Sequence, residues 1–375
     1  MIHPKIIIIG GGLAGLSAGL VLAKKGIRVR LIEKKDYPFH RVCGEYISNE
    51  VWPFLKSLDL DPEGWNVPQI NQLEVSSVQG RILKQDLDLG GFGMSRYNLD
   101  KILSESFVEW GGELITQTKI NQVDYIQNEF YLKDSTGKTY QADYVIGAYG
   151  KRSNLDQVLN RSFFKNRSPF LGIKYHLNFD LPKNLIQLHN FQGGYAGISA
   201  IENQKYCFCY LSKTENLKKH KTIPEMESEV LKKNPYLKNI FENAEFLWDK
   251  PQVIQEISFE PKELVFDHIL MCGDSAGLIS PLCGNGMAIA LHSGKILAEC
   301  ILEWSKKSEN PENRIQLEND YKKRWKNLFH KRLWVGRQIQ KLFGNNTLTD
   351  FTLGAFNSSP KLTRLLINST HGNPF

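Results

Sequence analysis

Lys5-Ile6-Ile7-Ile8-Ile9-Gly10-Gly11-Gly12-Leu13-Ala14-Gly15 stands at the head of the chain, with Gly19 just beyond. A second apolar run, Arg28-Val29-Arg30-Leu31-Ile32, ends on Glu33. The pattern predicts a strand, a glycine-rich turn, a helix and a second strand closed by a carboxylate. Each part suits a dinucleotide. Gly10 permits the tight turn, Gly12 lets the backbone approach a pyrophosphate, and Gly15 lets the helix pack closely on the sheet. The helix N-terminus presents unpaired N–H groups and a partial positive charge to phosphate. Glu33 arrives about 20 residues on, where a carboxylate can accept hydrogen bonds from ribose hydroxyls. An acid there favours FAD or NAD over NADP, whose extra phosphate it would repel.

Outward from this unit, the chain has the composition of a globular protein. It has 375 residues, 41% of them hydrophobic and 23% charged, long enough for two or more domains. Its six cysteines, at 43, 207, 209, 272, 283 and 300, form no CxxC pair and no zinc spacing. Cys207 and Cys209 share one face of a strand, too few for a metal site, and no metal is expected. Free thiols point to a reducing compartment. Glycines and Lys24-Lys25 interrupt the first apolar stretch, so it does not read as a signal peptide. No apolar run is long enough to span a bilayer. The cytoplasm is the expected location.

The net charge of +7 concentrates near the C-terminus. Residues 321–349 hold eight Lys or Arg and no Asp or Glu, with Trp325, Leu328, Phe329, Ile339, Leu342 and Phe343 at helical spacing. This is either a helix packing its apolar stripe on the body, or a docking face for an anionic membrane surface or an acidic carrier protein. No nucleic-acid recognition module is present.

Strand-and-turn patterns recur at two further places. Tyr144-Val145-Ile146 runs into Gly147-Ala148-Tyr149-Gly150-Lys151-Arg152-Ser153, and Ile269-Leu270-Met271-Cys272 runs into Gly273-Asp274-Ser275-Ala276-Gly277. Between them, residues 169–211 are rich in aromatic and β-branched residues, with Gly193-Gly194 as a hairpin signal, and predict an antiparallel sheet. A loop over residues 36–48, a strand-like patch near 74–83, a helix from about 96 to 110 with Asp100 as its first-turn acid, short strands over 113–140, a helix over 223–233 and a mostly helical tail complete the outline. One nucleotide domain interrupted by a second domain accounts for this order better than two tandem domains.

Three motifs carry a family resemblance: the Gly10–Gly15 loop with Glu33; Gly273-Asp274 followed by Pro281 and Gly284-Asn285-Gly286-Met287; and Gly147-Ala148-Tyr149-Gly150 with Ser153. Together they resemble the p-hydroxybenzoate hydroxylase-like flavoprotein superfamily, and most of all its geranylgeranyl reductase-like branch. The resemblance implies an α/β fold. A Rossmann-like FAD-binding domain with a parallel sheet (residues 1–72, 95–158 and 262–310) is interrupted by an antiparallel β-sheet substrate domain (73–94 and 159–261). A helical region, 311–375, follows. It implies FAD as cofactor. Gly10, Gly12, Leu13, Ala14, Gly15, Glu33 and Lys34 would hold its ADP half. Asp274, after Gly273, would hold a ribityl hydroxyl, and Gly284, Asn285, Gly286 and Met287 would lie against the isoalloxazine ring. Arg41, in Arg-Val-Cys-Gly-Glu45, and Arg96 match flavin-contacting positions, and Gly150 the third loop.

Two departures matter. The family has Asp where this chain has Tyr149, so NADPH or NADH as external reductant is expected to act slowly. The isoprenoid-reductase Tyr-x-Trp-x-Phe-Pro stretch is only partly matched by Tyr195-Ala-Gly-Ile-Ser-Ala200, which lacks the Trp and the Pro. Tyr195 is a possible substrate contact or a core residue. The halogenase Trp-x-Trp-x-Ile-Pro motif is absent. Gly273-x-Ser275-x-Gly277 matches a bare nucleophile elbow, but a hydrolase leaves the first loop unexplained. The reading is an FAD-dependent oxidoreductase reducing a double bond of an apolar, lipid-like or carrier-bound substrate. A monooxygenase and an electron-relaying or docking flavoprotein are the alternatives. The substrate and electron donor are not encoded in these motifs.

Overall fold

The computed structural model describes residues 4–375 apart from Arg167, Ile279, Pro281, Cys283 and residues 306–310. The motif proline Pro281 and one of the six cysteines therefore lie outside the described residues.

Ile6–Ile9 is fully buried, as a strand covered on both faces must be. It is the middle of a six-stranded sheet with the order Val265–Phe266, Ile269–Met271, Tyr144–Gly147, Ile6–Ile9, Val29–Ile32, Glu113–Ile115. All neighbours are parallel except the first pair. Ile9 pairs with Gly147, and Gly147 with Met271. Three segments far apart in sequence thus end level, and their loops leave the same edge. In open α/β sheets that carboxyl edge is where ligands bind. Helix Leu13–Lys24, buried along most of its length, packs on helix Gly286–Trp304, where Ser17 Oγ donates to the Leu291 carbonyl at 2.6 Å.

A nine-stranded sheet forms the second layer. Its main path is Glu245–Phe246, Phe170–Asn178, Tyr206–Lys213, Gly194–Ala200, Leu185–Phe191, Gln69–Ser76, Ile82–Gly93, Tyr46–Ser48, with Gln252–Gln255 also on Phe170–Asn178. The expected antiparallel sheet is present with one exception: Leu185–Phe191 runs parallel to Gln69–Ser76. The single patch expected near 74–83 is instead a hairpin of two longer strands. Its turn is closed by Ser77 N–H to the Arg81 carbonyl at 2.9 Å and Gly80 N–H to the Ser77 carbonyl at 3.1 Å. The loop expected over 36–48 ends in a strand, Tyr46–Ser48, that pairs with Ile82–Gly93. A three-stranded sheet spans Ile120–Ile126, Glu129–Asp134 and Thr139–Ala142.

The tail forms helices Pro311–Leu342, Asn346–Asn357 and Pro360–Thr370. Tyr321, Trp325, Phe329 and Leu333, at four-residue spacing, are buried on the nucleotide-domain core, while Leu328 is exposed. No helix among the described residues is long and apolar enough to cross a membrane.

Candidate functional site

The glycine loop is built by close approach. Gly10 has φ +103°, and a Cβ there would lie 2.5 Å from the Ala148 carbonyl oxygen. A Cβ on Gly15 would lie 2.1 Å from the Gly10 carbonyl oxygen. Gly12 differs: it precedes the helix, and a Cβ there meets nothing within 4 Å. Open space therefore faces the unpaired N–H groups of the first turn. Leu13 and Ala14 are buried behind it. Glu33 is buried too, and its carboxylate accepts from Gly11 N–H at 2.8 Å and Lys35 N–H at 3.1 Å. Lys34 is exposed.

Arg41 and Arg96 converge on one acid. Arg96 donates to both oxygens of Asp100 at 2.8 and 2.9 Å, and Arg41 Nε to Oδ2 at 2.9 Å. Arg41 also reaches the Gly11 carbonyl at 3.2 Å and Glu33 at 3.4 Å. Helix Arg96–Glu109 is capped by Ser95 and has no acid in its first turn; Asp100 lies beyond that turn, fully buried, as the hub of two cations rather than the expected first-turn acid.

Asp274 sits in the short turn Gly273–Ser275. Among the described residues its carboxylate accepts no hydrogen bond. Burial pushes its carboxyl up, against the pull of Lys262, Lys151, Arg96 and Arg41. Burial also pushes the Lys151 and Lys262 ammonium groups down to about 8, with Asp274 opposing. Lys262 donates to the carbonyls of Lys151 at 2.5 Å and Asp274 at 2.7 Å. The Lys151 nitrogen is buried and has no hydrogen-bond partner among the described residues. Four cations thus act through their charge on a carboxylate with free acceptor capacity, an arrangement suited to an anion joined to a polyol.

The second and third loops are stapled together. Gly150 N–H donates to Ser275 Oγ at 3.0 Å, and that hydroxyl donates to the Gly150 carbonyl at 3.1 Å. The serine of the elbow pattern is therefore engaged and fully buried. Arg161, which the sequence did not flag, reinforces the staple by donating to Asp156 at 3.0 Å and to the Glu263 and Ser275 carbonyls at 2.9 and 3.0 Å. Tyr149 points to Met271 Sδ at 3.4 Å and accepts from Arg161 at 3.4 Å. Asn285, buried before helix Gly286–Trp304, donates to the Thr370 carbonyl at 2.7 Å, and Met287 is buried.

A sequence profile described as an FAD binding domain matches residues 4–309. The chain belongs to that family. The resemblance of its motifs to the p-hydroxybenzoate hydroxylase-like superfamily, with its geranylgeranyl reductase-like branch, is borne out. Digeranylgeranylglycerophospholipid reductase 1 of Methanosphaera stadtmanae is 23% identical over 332 residues, covering 81% of this chain and 77% of that protein. LodB of Marinomonas mediterranea, named as an FAD-dependent oxidoreductase, is 32% identical over 165 residues, which cover 41% of this chain and only 44% of LodB. A geranylgeranyl bacteriochlorophyll reductase-like structure from Thermoplasma acidophilum superposes with a TM-score of 0.77 at 17% identity, covering 98% of this chain and 95% of that one. The open space before Gly12 and the cations around Asp274 fit an FAD.

Beside these loops of the FAD binding domain lies a buried polar cluster that the sequence reading missed. Glu45, at φ +56°, accepts from Lys174 Nζ at 2.5 Å, from Arg96 N–H at 2.8 Å, and meets His176 Nε2 at 2.6 Å. Burial pushes the Glu45 carboxyl up, but the His176 hydrogen bond and the Lys174 charge outweigh it and hold it below its usual range. Cys207 Sγ donates to the Cys43 carbonyl at 3.3 Å. Cys207 was expected to lack partners for an ion, yet ligand atoms of Glu45, His176 and Cys207 lie within 4.8 Å of one another. The Lys174 ammonium already neutralises Glu45, which counts against a metal there. The available signal was alternation. Lys174 and His176 share a strand face, and their paired positions across the sheet are Cys209 and Cys207.

An apolar cavity of about 130 Å³ reaches Tyr46 and Gly284. Leu73 and Leu188 line it from the sheet, Leu353 and Leu366 from the last two helices, and Phe343 from the bend after helix Pro311–Leu342. Tyr195 is not among its lining residues. It packs behind the wall, with Leu211 and Leu282 and with its ring edge-on at 6.2 Å to Phe343, which itself lines the cavity.

Proposed function

We propose that this FAD-family protein reduces a double bond of an apolar, lipid-like or carrier-presented substrate by hydride transfer. The observation that carries the reading is the apolar cavity reaching Gly284, the turn that the family resemblance places against the flavin ring. Bound FAD supplies the hydride. This chain's residues bind and orient. The loop from Gly10 to Gly15 and the first-turn N–H groups would hold the pyrophosphate, and Glu33 a ribose hydroxyl. Asp274 would accept from the ribityl chain. Arg41, Arg96, Lys151 and Lys262 would balance the anionic charge. The N-terminus of helix Gly286–Trp304 would favour negative charge on a flavin ring held against it. The aliphatic cavity walls exclude water and match an apolar substrate.

Exposed Trp334, Lys331 and Lys341 on helix Pro311–Leu342 suit contact with an anionic membrane surface or an acidic carrier that presents such a substrate.

Anaerobic reduction with NADH, NADPH or dithionite, followed by reoxidation, tests the reading. Reoxidation by an olefin supports it. Reoxidation by oxygen alone, with an oxygen atom inserted into an organic substrate, establishes a hydroxylase instead. Reoxidation only by electron acceptors establishes an electron carrier. Direct NADPH reduction is expected to be slow, because Tyr149 replaces Asp; rapid anaerobic bleaching refutes that expectation.

A further inference from the structure

Tyr46 stands where the apolar cavity meets the Gly284 turn. It is 6% exposed and lines the cavity. Its ring is clamped between glycines: a Cβ on Gly284 would meet it at 3.0 Å, and one on Gly91 at 2.6 Å. Such a ring needs no oxygen to pack. Yet it carries one, and among the described residues the Tyr46 hydroxyl is buried without a hydrogen-bond partner. A buried unpaired hydroxyl costs stability, and phenylalanine would fill the same space without that cost.

The other polar side chains lining the cavity are tied down. Thr349 donates to the Leu342 carbonyl at 2.9 Å, Thr352 to Leu348 at 2.7 Å, Thr363 to Phe356 at 3.1 Å and Thr370 to Ile367 at 2.7 Å. His371 Nδ1 meets the Ile367 carbonyl at 2.9 Å. Burial, with Glu50 adding to it, pushes the Tyr46 phenol up, so the group stays protonated and can both donate and accept.

We propose that Tyr46 determines substrate specificity: its hydroxyl pairs with one hydroxyl or carbonyl oxygen at the flavin end of a substrate whose apolar body fills the cavity. The substrate class is then an amphipathic phenol, alcohol or ketone rather than a plain hydrocarbon. This rests on the reading of the cavity as the substrate site.

The test uses the FAD-loaded protein and a matched pair of probes, 4-butylphenol and butylbenzene, with binding read from the visible flavin spectrum. The wild type is expected to prefer the phenol. Tyr46→Phe is expected to weaken the phenol about five- to tenfold, the worth of one hydrogen bond, and to leave butylbenzene unchanged. The thermal midpoint of the substrate-free variant is expected to stay level or rise, because only an unpaired oxygen is removed. A variant that binds both probes as the wild type does overturns the proposal while leaving the cavity reading intact. A variant with a lower midpoint and equal losses for both probes assigns Tyr46 a structural role and also overturns it. Failure of both probes to bind the wild type overturns the cavity reading, and the proposal with it.

Discussion

Replacing Gly12 by Asp separates folding from cofactor binding. A Cβ at Gly12 meets no atom within 4 Å, and the residue has φ −82° and ψ −179°, an extended backbone that any residue adopts. It also occupies the N-cap of helix Leu13–Lys24, where Asp is a favoured residue. The apoprotein is therefore expected to keep its stability, or gain a few tenths of a kcal/mol. The new carboxylate stands in the space that faces the first-turn N–H groups. At a separation of about 4 Å and an effective dielectric of about 20, one like-charge pair costs about 4 kcal/mol. That is roughly a thousandfold in Kd. Calorimetric titration of the apoprotein with FAD measures the loss, and thermal unfolding shows that the fold is retained. Gly15→Ala is the contrasting control. Its methyl would sit 2.1 Å from the Gly10 carbonyl oxygen, so it is expected to disturb the fold itself. A Gly12→Asp protein that purified yellow, with an unchanged flavin spectrum and Kd, would refute the assignment of this loop.

FAD affinity should fall as pH rises from about 8 toward 10.5. Lys151 and Lys262 are held near 8 in the free protein, and a pyrophosphate pulls them back toward their ordinary 10.5, so binding takes up protons within that window. Titrations in buffers of different ionisation enthalpy count those protons, and an affinity flat across the window contradicts the placement. Lys174→Met should destabilise the protein by about 3–5 kcal/mol in denaturant unfolding, since it removes one partner of a fully buried pair. Adding Glu45→Gln should recover part of that loss, and strictly additive losses would show that the pair is not coupled. Charge reversal at Lys331 and Lys341 together should abolish co-sedimentation with anionic vesicles; retention equal to wild type removes this face from the membrane reading.

Residues near one another in the chain made the nucleotide half legible. The turn at Gly10, the approach at Gly15 and the acid at Glu33 are requirements of a local backbone path, so they are written in consecutive positions. The alternation over 169–211 announced a sheet for the same reason. Its mixed character was hidden, because the parallel pairing of Leu185–Phe191 with Gln69–Ser76 joins strands more than a hundred residues apart. Asp100 looked like an ordinary helix-start acid until tertiary packing brought Arg41 to it from 59 positions away.

The sequence by itself determined the βαβ unit, the family and the cofactor class. Only the tertiary structure decided which side chains meet in the interior and line the cavity. It joined Glu45 to Lys174 and His176 across 129 and 131 positions, set Lys151 and Lys262 around Asp274, and left Tyr195 off the cavity while placing Tyr46 on it. The reason is physical. A glycine's backbone freedom is a property of its own position. A buried side chain's partner depends on sheet register and helix docking, and these emerge only when distant segments close on a common core.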